Sequence, residues 1–271
     1  MDDWYTGEVG DFLKVGLLRW LVAPSPFGRS YRLGVVRLRL LDEHHDDGTT
    51  RAACLDPVSA RGEDFRDLDC DLYDRLHGTA APHDAADAGR HSVSSLAAAG
   101  VLPHDTLHFD DVLSFADLAP SDRAARIVRR ERVFHEAMVA TERCSLVFVD
   151  PDEGLQRDDD STDRDLADRQ ASLSEIGRLL DRGQSVVAHH HVDGSESVSS
   201  QAASWMTDIH EALGIEPLAA VRAQRDTTRM FVVVAHPRHR SDLEDRLGAL
   251  QLSRWGDVIR LHRWHRESVL V

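Results

Sequence analysis

Lysine is almost absent from this chain. Of its 32 basic residues one is lysine, Lys14, and the other 31 are arginine. A sequence that carries nearly all positive charge on planar guanidinium forks places its single compact ammonium at the end of Tyr5-Thr6-Gly7-Glu8-Val9-Gly10-Asp11-Phe12-Leu13-Lys14, on the rim of an apolar helical face. Cysteine is also scarce. Cys54, Cys70 and Cys144 show no Cys-x-x-Cys spacing, which argues against a disulfide framework or a zinc knuckle and fits a reducing, cytoplasmic setting. There is no run of about 18 apolar residues, so no membrane span is expected, and the first residues lack the basic-then-apolar order of a secretory signal. Basic residues are outnumbered overall. The net charge of −15 argues against broad, nonspecific affinity for nucleic acid, which works by neutralising phosphates. A local arginine surface, such as Arg126, Arg129, Arg130 and Arg132, can still dock a polyanion.

What is present fits one large core. A chain of 271 residues with 42% hydrophobic content is expected to form a single α/β domain over 1–271, with a polar excursion around 59–104. Asp11 reads as the N-cap of a helix through Leu21, with Leu13, Leu17, Leu18 and Leu21 near one face. Leu33 to Leu41 reads as a strand, followed by the polar turn Asp42-Glu43-His44-His45-Asp46-Asp47-Gly48, and Ala53-Cys54-Leu55 as a short strand. Helices are expected at 67–76, at 119–140 with Ser121 as cap and Ile127, Val128, Phe134 and Met138 packing, at 173–180, 201–213 and 241–250. Strands are expected at 107–109, 144–149, 186–188 leading into the histidine run, 230–235 and 257–261. This alternation predicts a Rossmann-like, mostly parallel sheet covered by helices on both faces, and the order and spacing of the later strands permit a terminal antiparallel pair of 230–235 and 257–261.

In such a sheet, polar loops beyond the carboxyl ends of strands form the natural crevice. Three groups fall there: the 42–47 loop, Asp150 with Asp152, and His189-His190-His191. Asp150 ends an apolar strand, so its carboxylate can be held rigidly to accept hydrogen bonds or a metal; the rival reading is a turn in which Asp caps the next element. If the strand persists, His189 and His191 point alike and His190 points away. That pattern offers Asp150, Asp152, His189 and His191 as ligands for Mg²⁺ or Mn²⁺, with His190 as an acid/base residue, or a set of buried polar packing groups. Arg222, Arg225 and Arg229, ahead of the strand at 230, suit a phosphate or carboxylate, or a solvated linker. Trp205, Trp255 and Trp264 read as packing residues.

Two segments resemble a known family. Tyr5 with Gly10-Asp11-Phe12-Leu13-Lys14 is similar to the N-terminal segment of bacterial 23S ribosomal RNA adenine-N6 methyltransferases of the RlmJ type, and Val147-Phe148-Val149-Asp150-Pro151-Asp152 is similar to their strand and Asp-Pro-Pro-Tyr motif. The resemblance implies S-adenosylmethionine as cofactor and a nucleic-acid base or nucleotide amine as substrate. By it Asp150 holds the amine, while Tyr5, Gly10, Lys14 and Asp42 contact cofactor or substrate. Asp152 and Glu153 stand where the motif has its second Pro and its aromatic, and Leu41–Gly48 stands where a glycine-rich loop is expected. Three functions follow as expectations. The first is S-adenosylmethionine-dependent methyl transfer with Lys14, Asp150 and His190 at the centre. The second is Mg²⁺- or Mn²⁺-dependent phosphodiester cleavage, in DNA defence or repair, using Asp150 and Asp152. The third is a noncatalytic nucleotide-binding or protein-interaction module, with a protein partner or a second copy of the chain. Both enzyme readings require Lys14 to meet the tip of the 145–150 strand.

Overall fold

The computed structural model describes residues 9–24, 29–40, 62–79, 100–119, 121–157, 169–225 and 227–264. Tyr5, Asp42, the rest of the 42–48 turn and the 53–55 strand lie outside the described residues, as does most of the stretch around Thr79 to Gly89.

The apolar run of the first segment forms helix α1, Val9–Val22. Its residues Gly10 to Leu18 are all buried, the signature of a helix covered on every side. Asp11 therefore sits inside the first turn, where a carboxylate offsets the helix dipole, and is not the N-cap that spacing suggested. Strand β1, Leu33–Leu40, leads to helices α2, Gly62–Arg66, and α3, Cys70–Thr79. Phe65, Leu72, Tyr73 and Leu76 pack into the core beside α1, so this part of the expected excursion is integral to the fold.

Strands β2, Leu107–Phe109, and β3, Val112–Leu113, precede helix α4, Arg123–Ala140. Asp122, not Ser121, caps α4, accepting from the Ala125 amide at 3.0 Å. Val133, Phe134 and Ala137 form its buried stripe, whereas Ile127 and Val128 are 52% and 69% exposed. Strand β4, Leu146–Pro151, is followed by the short pair β5, Leu155–Gln156, and β6, Ala171–Ser172. Helix α5, Leu173–Asp181, starts with a reciprocal capping box between Ser172 and Glu175. Strand β7, Ser185–His190, helix α6, Val198–Leu213, strands β8, Ala219–Arg225, and β9, Thr227–Val234, helix α7, Arg240–Leu252, and strand β10, Ile259–Arg263, complete the order.

The main sheet runs β10-β8-β9-β7-β4-β1-β2, with β3 also pairing β1. Strands β2, β1, β4 and β7 are parallel, and β9, β8 and β10 continue the sheet by antiparallel pairing. The sequence expectation of an antiparallel edge holds, but its membership differs. Strand β8 lies between 230–235 and 257–261, which do not pair with each other. Its sequence, AAVRAQR, is poor in the β-branched and aromatic residues that mark strands, and only pairing on both sides makes it one.

One face of the sheet packs α1, α3 and α7 through Leu146, Phe148, Val187, Phe231 and Val233. The other packs α4, α5 and α6 through Val147, Val149, Val186, Ala188 and Val232. The chain leaves β1 toward β2 and leaves β4 toward β7, so the connections diverge between two adjacent parallel strands. A divergence of this kind opens a crevice at the carboxyl ends of the strands.

Candidate functional site

Asp150 stands at that point. The preceding residues Leu146 to Val149 are essentially inaccessible, and they deliver a carboxylate that is itself 1% exposed. Helix α1 crosses the same end of the sheet. Because α1 is buried on all sides, Lys14 has no solvent-facing direction and remains 3% exposed. Its Nζ donates to Asp150 Oδ2 at 2.9 Å, joining residues 136 apart in sequence, and lies 3.7 Å from Asp11 Oδ1. The ammonium also sits over the Phe148 ring, 5.9 Å from its centroid.

The second carboxylate oxygen is engaged from β7. His189 Nδ1 lies 3.0 Å from Asp150 Oδ1. Burial pushes the Asp150 carboxyl up, but the Lys14 charge and the His189 hydrogen bond together hold it well below the usual carboxylate range. Burial also pushes His189 down to about 3, against the opposing pull of Asp150. The ring is therefore neutral near pH 7. With an ionised carboxylate accepting at Nδ1, the proton is on Nδ1 and the lone pair on Nε2. His189 stacks on Phe231, with centroids 5.4 Å apart, and its other neighbour is His191 at 4.7 Å.

Strand alternation separates the histidines as the sequence pattern required. His189 and His191 lie together, whereas His190 faces the opposite side of the sheet against Trp205, at 4.6 Å. There its Nδ1 accepts from the Leu155 amide at 3.1 Å and ties down the segment after β4. The expectation that His190 joins Lys14 and Asp150 is thus corrected: one residue of pleat puts it across the sheet. Burial lowers His190 to about 4, which keeps that nitrogen free to accept. Gly154, the last residue of Asp150-Pro151-Asp152-Glu153-Gly154, has φ +84 and leaves no room for a side chain. A Cβ there would stand 2.8 Å from the His191 amide nitrogen and 2.9 Å from His190 Nδ1.

Asp152 is half-buried just beyond β4 and does not share the Lys14–Asp150–His189 contact. Among the described residues, no three His, Cys, Asp or Glu are placed to hold a metal ion. Both Asp150 oxygens already have partners, and a divalent cation would have to displace an ammonium from one of them. The proposed metal set of Asp150, Asp152, His189 and His191 does not fit that ion in this arrangement. The amine-holding role implied for Asp150 meets an obstacle too, since the carboxylate is 1% exposed and each oxygen already accepts from a protein group.

Two arginines belong to this neighbourhood: Arg37, which in the sequence is only an interruption of its strand, and Arg229, for which a phosphate or carboxylate and a solvated linker are both open readings. Arg37 pairs in register with Asp150, is 5% exposed, and donates to Asp110 at 3.2 Å. Arg229, two residues before Phe231 on β9, lies against Gly10 in the first turn of α1. The signal for Arg37 was present in the sequence, as a charge on the buried phase of an apolar strand. For Arg229 the arginine cluster ahead of the strand at 230 was the signal, but its neighbour Gly10 was not legible, because that contact is set by tertiary pairing.

Trp205 and Trp255 are buried packing residues, as expected, and Trp264 packs beside its core cluster. Among the described residues no helix is long and apolar enough to cross a membrane. No family model matches the chain, and no curated protein or solved structure gave a significant match to it.

Proposed function

We propose that the chain is a nucleotide-utilising enzyme on a Rossmann-like scaffold, with His189 as general base, Asp150 as the residue that positions it, and Lys14 as a fixed positive charge. The observation that carries this reading is the double engagement of Asp150, by Lys14 on one oxygen and His189 on the other, at the divergence of β1 and β4. Stability alone does not account for it. Desolvating an ion pair costs several kcal/mol per ion, roughly what the attraction returns, and apolar residues of equal volume would seat α1 as well. A neutral imidazole held in one tautomer by a buried carboxylate is instead the arrangement that removes a proton from a nucleophile.

The reaction this centre supports best is methyl transfer to an amine of a nucleic-acid base or nucleotide, with S-adenosylmethionine supplying an electrophilic methyl group when bound. Phe148 and Phe231, both fully buried, wall the dyad with apolar rings on its core side. His189 Nε2 takes the proton that the amine nitrogen loses, and Asp150 stabilises the imidazolium. A second reading, phosphodiester cleavage with water as the nucleophile, is favoured by the cations Lys14, Arg37 and Arg229 on the same face, which suit developing negative charge. No metal step is part of it, because the described residues do not form the cage.

Calorimetry with purified protein tests the first reading. S-adenosylmethionine should bind without added metal, and transfer to an adenine-containing acceptor should fall at least a hundredfold in His189→Gln. No binding at saturating concentration would reject methyl transfer. Phosphodiester cleavage that survives chelation and is lost in His189→Gln would establish the second reading, and binding without turnover of either kind would leave a noncatalytic module.

A further inference from the structure

We propose that Arg229 is an oxyanion-binding residue, taking the phosphate or carboxylate of the ligand whose reacting end meets His189. The inference rests on the nucleotide reading above and names how such a ligand is held. Its starting point is Gly10. A Cβ at Gly10 would stand 2.3 Å from Arg229 Nε and 2.5 Å from Nη2, so the guanidinium lies against the first turn of α1, and a side chain at position 10 would push it away. A cation beside the positive end of a helix dipole is in an unfavourable place unless an anion joins them.

Among the described residues the protein supplies no such anion. Among the described residues no carboxylate pairs with Arg229, and its Nε is buried without a hydrogen-bond partner. Acids in this part of the fold have other partners: Asp150 has Lys14 and His189, Asp11 lies 3.7 Å from Lys14, and Glu153 lies 3.9 Å from Arg169. The positive charge of Arg229 reaches His191, which burial and this charge lower while Glu153 raises it. A second guanidinium stands on the other side of the dyad, paired with Asp110 through Nη1 at 3.2 Å but with part of its fork unused. Arg37 is nine-tenths buried on the same face, in register with Asp150, and its Nε also lacks an acceptor. Two buried guanidinium N–H groups without acceptors therefore flank a base that has its own partner. A planar fork of this kind matches the two oxygens of a phosphate or carboxylate.

Paired ligands that differ only in the oxyanion provide the test. Wild-type protein, Arg229→Gln, Arg229→Lys and the exposed control Arg132→Gln are titrated by calorimetry with inorganic phosphate, with AMP against adenosine, and with S-adenosylmethionine against its decarboxylated form. One pair should show at least a tenfold preference for the oxyanion-bearing member. Preference for AMP assigns a phosphate, and preference for S-adenosylmethionine assigns its carboxylate. Arg229→Gln should erase the preference, Arg229→Lys should keep part of it, and Arg132→Gln should leave it intact. Equal binding within both pairs by the wild type overturns the proposal while the nucleotide reading stands. A preference that persists in folded Arg229→Gln overturns it as well. Phosphate binding lost in Arg229→Gln, with no nucleoside or S-adenosylmethionine binding, supports the subsite and removes the nucleotide reading instead.

Discussion

A lysine with a carboxylate on one side and an aromatic face on the other is a different object from a surface lysine, and position 14 shows why this chain uses it. Arginine carries a planar five-donor fork, whereas the slot between Asp11, Asp150 and Phe148 receives a single ammonium. Breaking a buried pair on one side leaves an uncompensated charge, which costs about 3–5 kcal/mol. Asp150→Ala should therefore destabilise the protein by roughly that amount in urea unfolding. Lys14→Met combined with Asp150→Leu should cost less than either change alone, because no charge is then stranded. Additive losses in the double variant would mean that the two groups do not act as a pair. At this scale the sequence was informative in two ways. It singled out Lys14 and Asp150 by composition and position, and it predicted that His189 and His190 face apart. It did not indicate which histidine shares a face with Lys14, since strand phase must be referred to a helix that lies 136 residues from Asp150 in sequence.

Among the elements, α1 has the most consequential placement. It is wedged between the sheet and a covering layer that includes Trp255, whose ring stacks on Phe12 with centroids 5.5 Å apart. A Cβ at Gly16 would lie 2.0 Å from that ring, so the helix approaches as closely as it does because position 16 has no side chain. Gly16→Ala should overpack this contact, lowering stability by about 1–3 kcal/mol and shifting Lys14 relative to Asp150. A variant as stable as the wild type would show that the covering layer yields freely. The 173–181 helix carries its own start signal, and Ser172→Ala should cost about 1 kcal/mol by opening the capping box. Such local signals made most helices and the apolar strands β4, β7 and β9 legible. The 123–140 helix was placed correctly but its exposed face was misjudged, because Ile127 and Val128 are apolar residues on a side nothing described here covers.

For the whole molecule, buried histidines link stability to acidity, two at the end of β7 and His239 in the turn 237–239 before α7. Burial lowers His189 to about 3, His190 to about 4 and His239 to about 4, while an unfolded chain binds these protons near the ordinary value of 6.5. Between those limits the unfolded state holds more protons, so stability falls as pH falls from about 6.5 toward 4. Each ring contributes a slope of up to about 1.4 kcal/mol per pH unit. Asp150 adds a loss at lower pH, since its depressed carboxyl contributes stability above its unfolded value of 3.8 that disappears as the folded group is protonated. Urea midpoints measured from pH 7.5 to 4.5 should therefore decline, and the decline should be shallower in His239→Asn. A flat profile would contradict burial of the neutral rings. The sequence by itself determined the class of fold, the apolar strands, the parallel core and the identity of the charged residues worth attention, because periodicity and composition act locally. Only the tertiary structure decided that β8 enters the sheet, that His189 is the imidazole at Asp150 and that Arg229 meets Gly10, because each depends on which distant segments pair across the sheet.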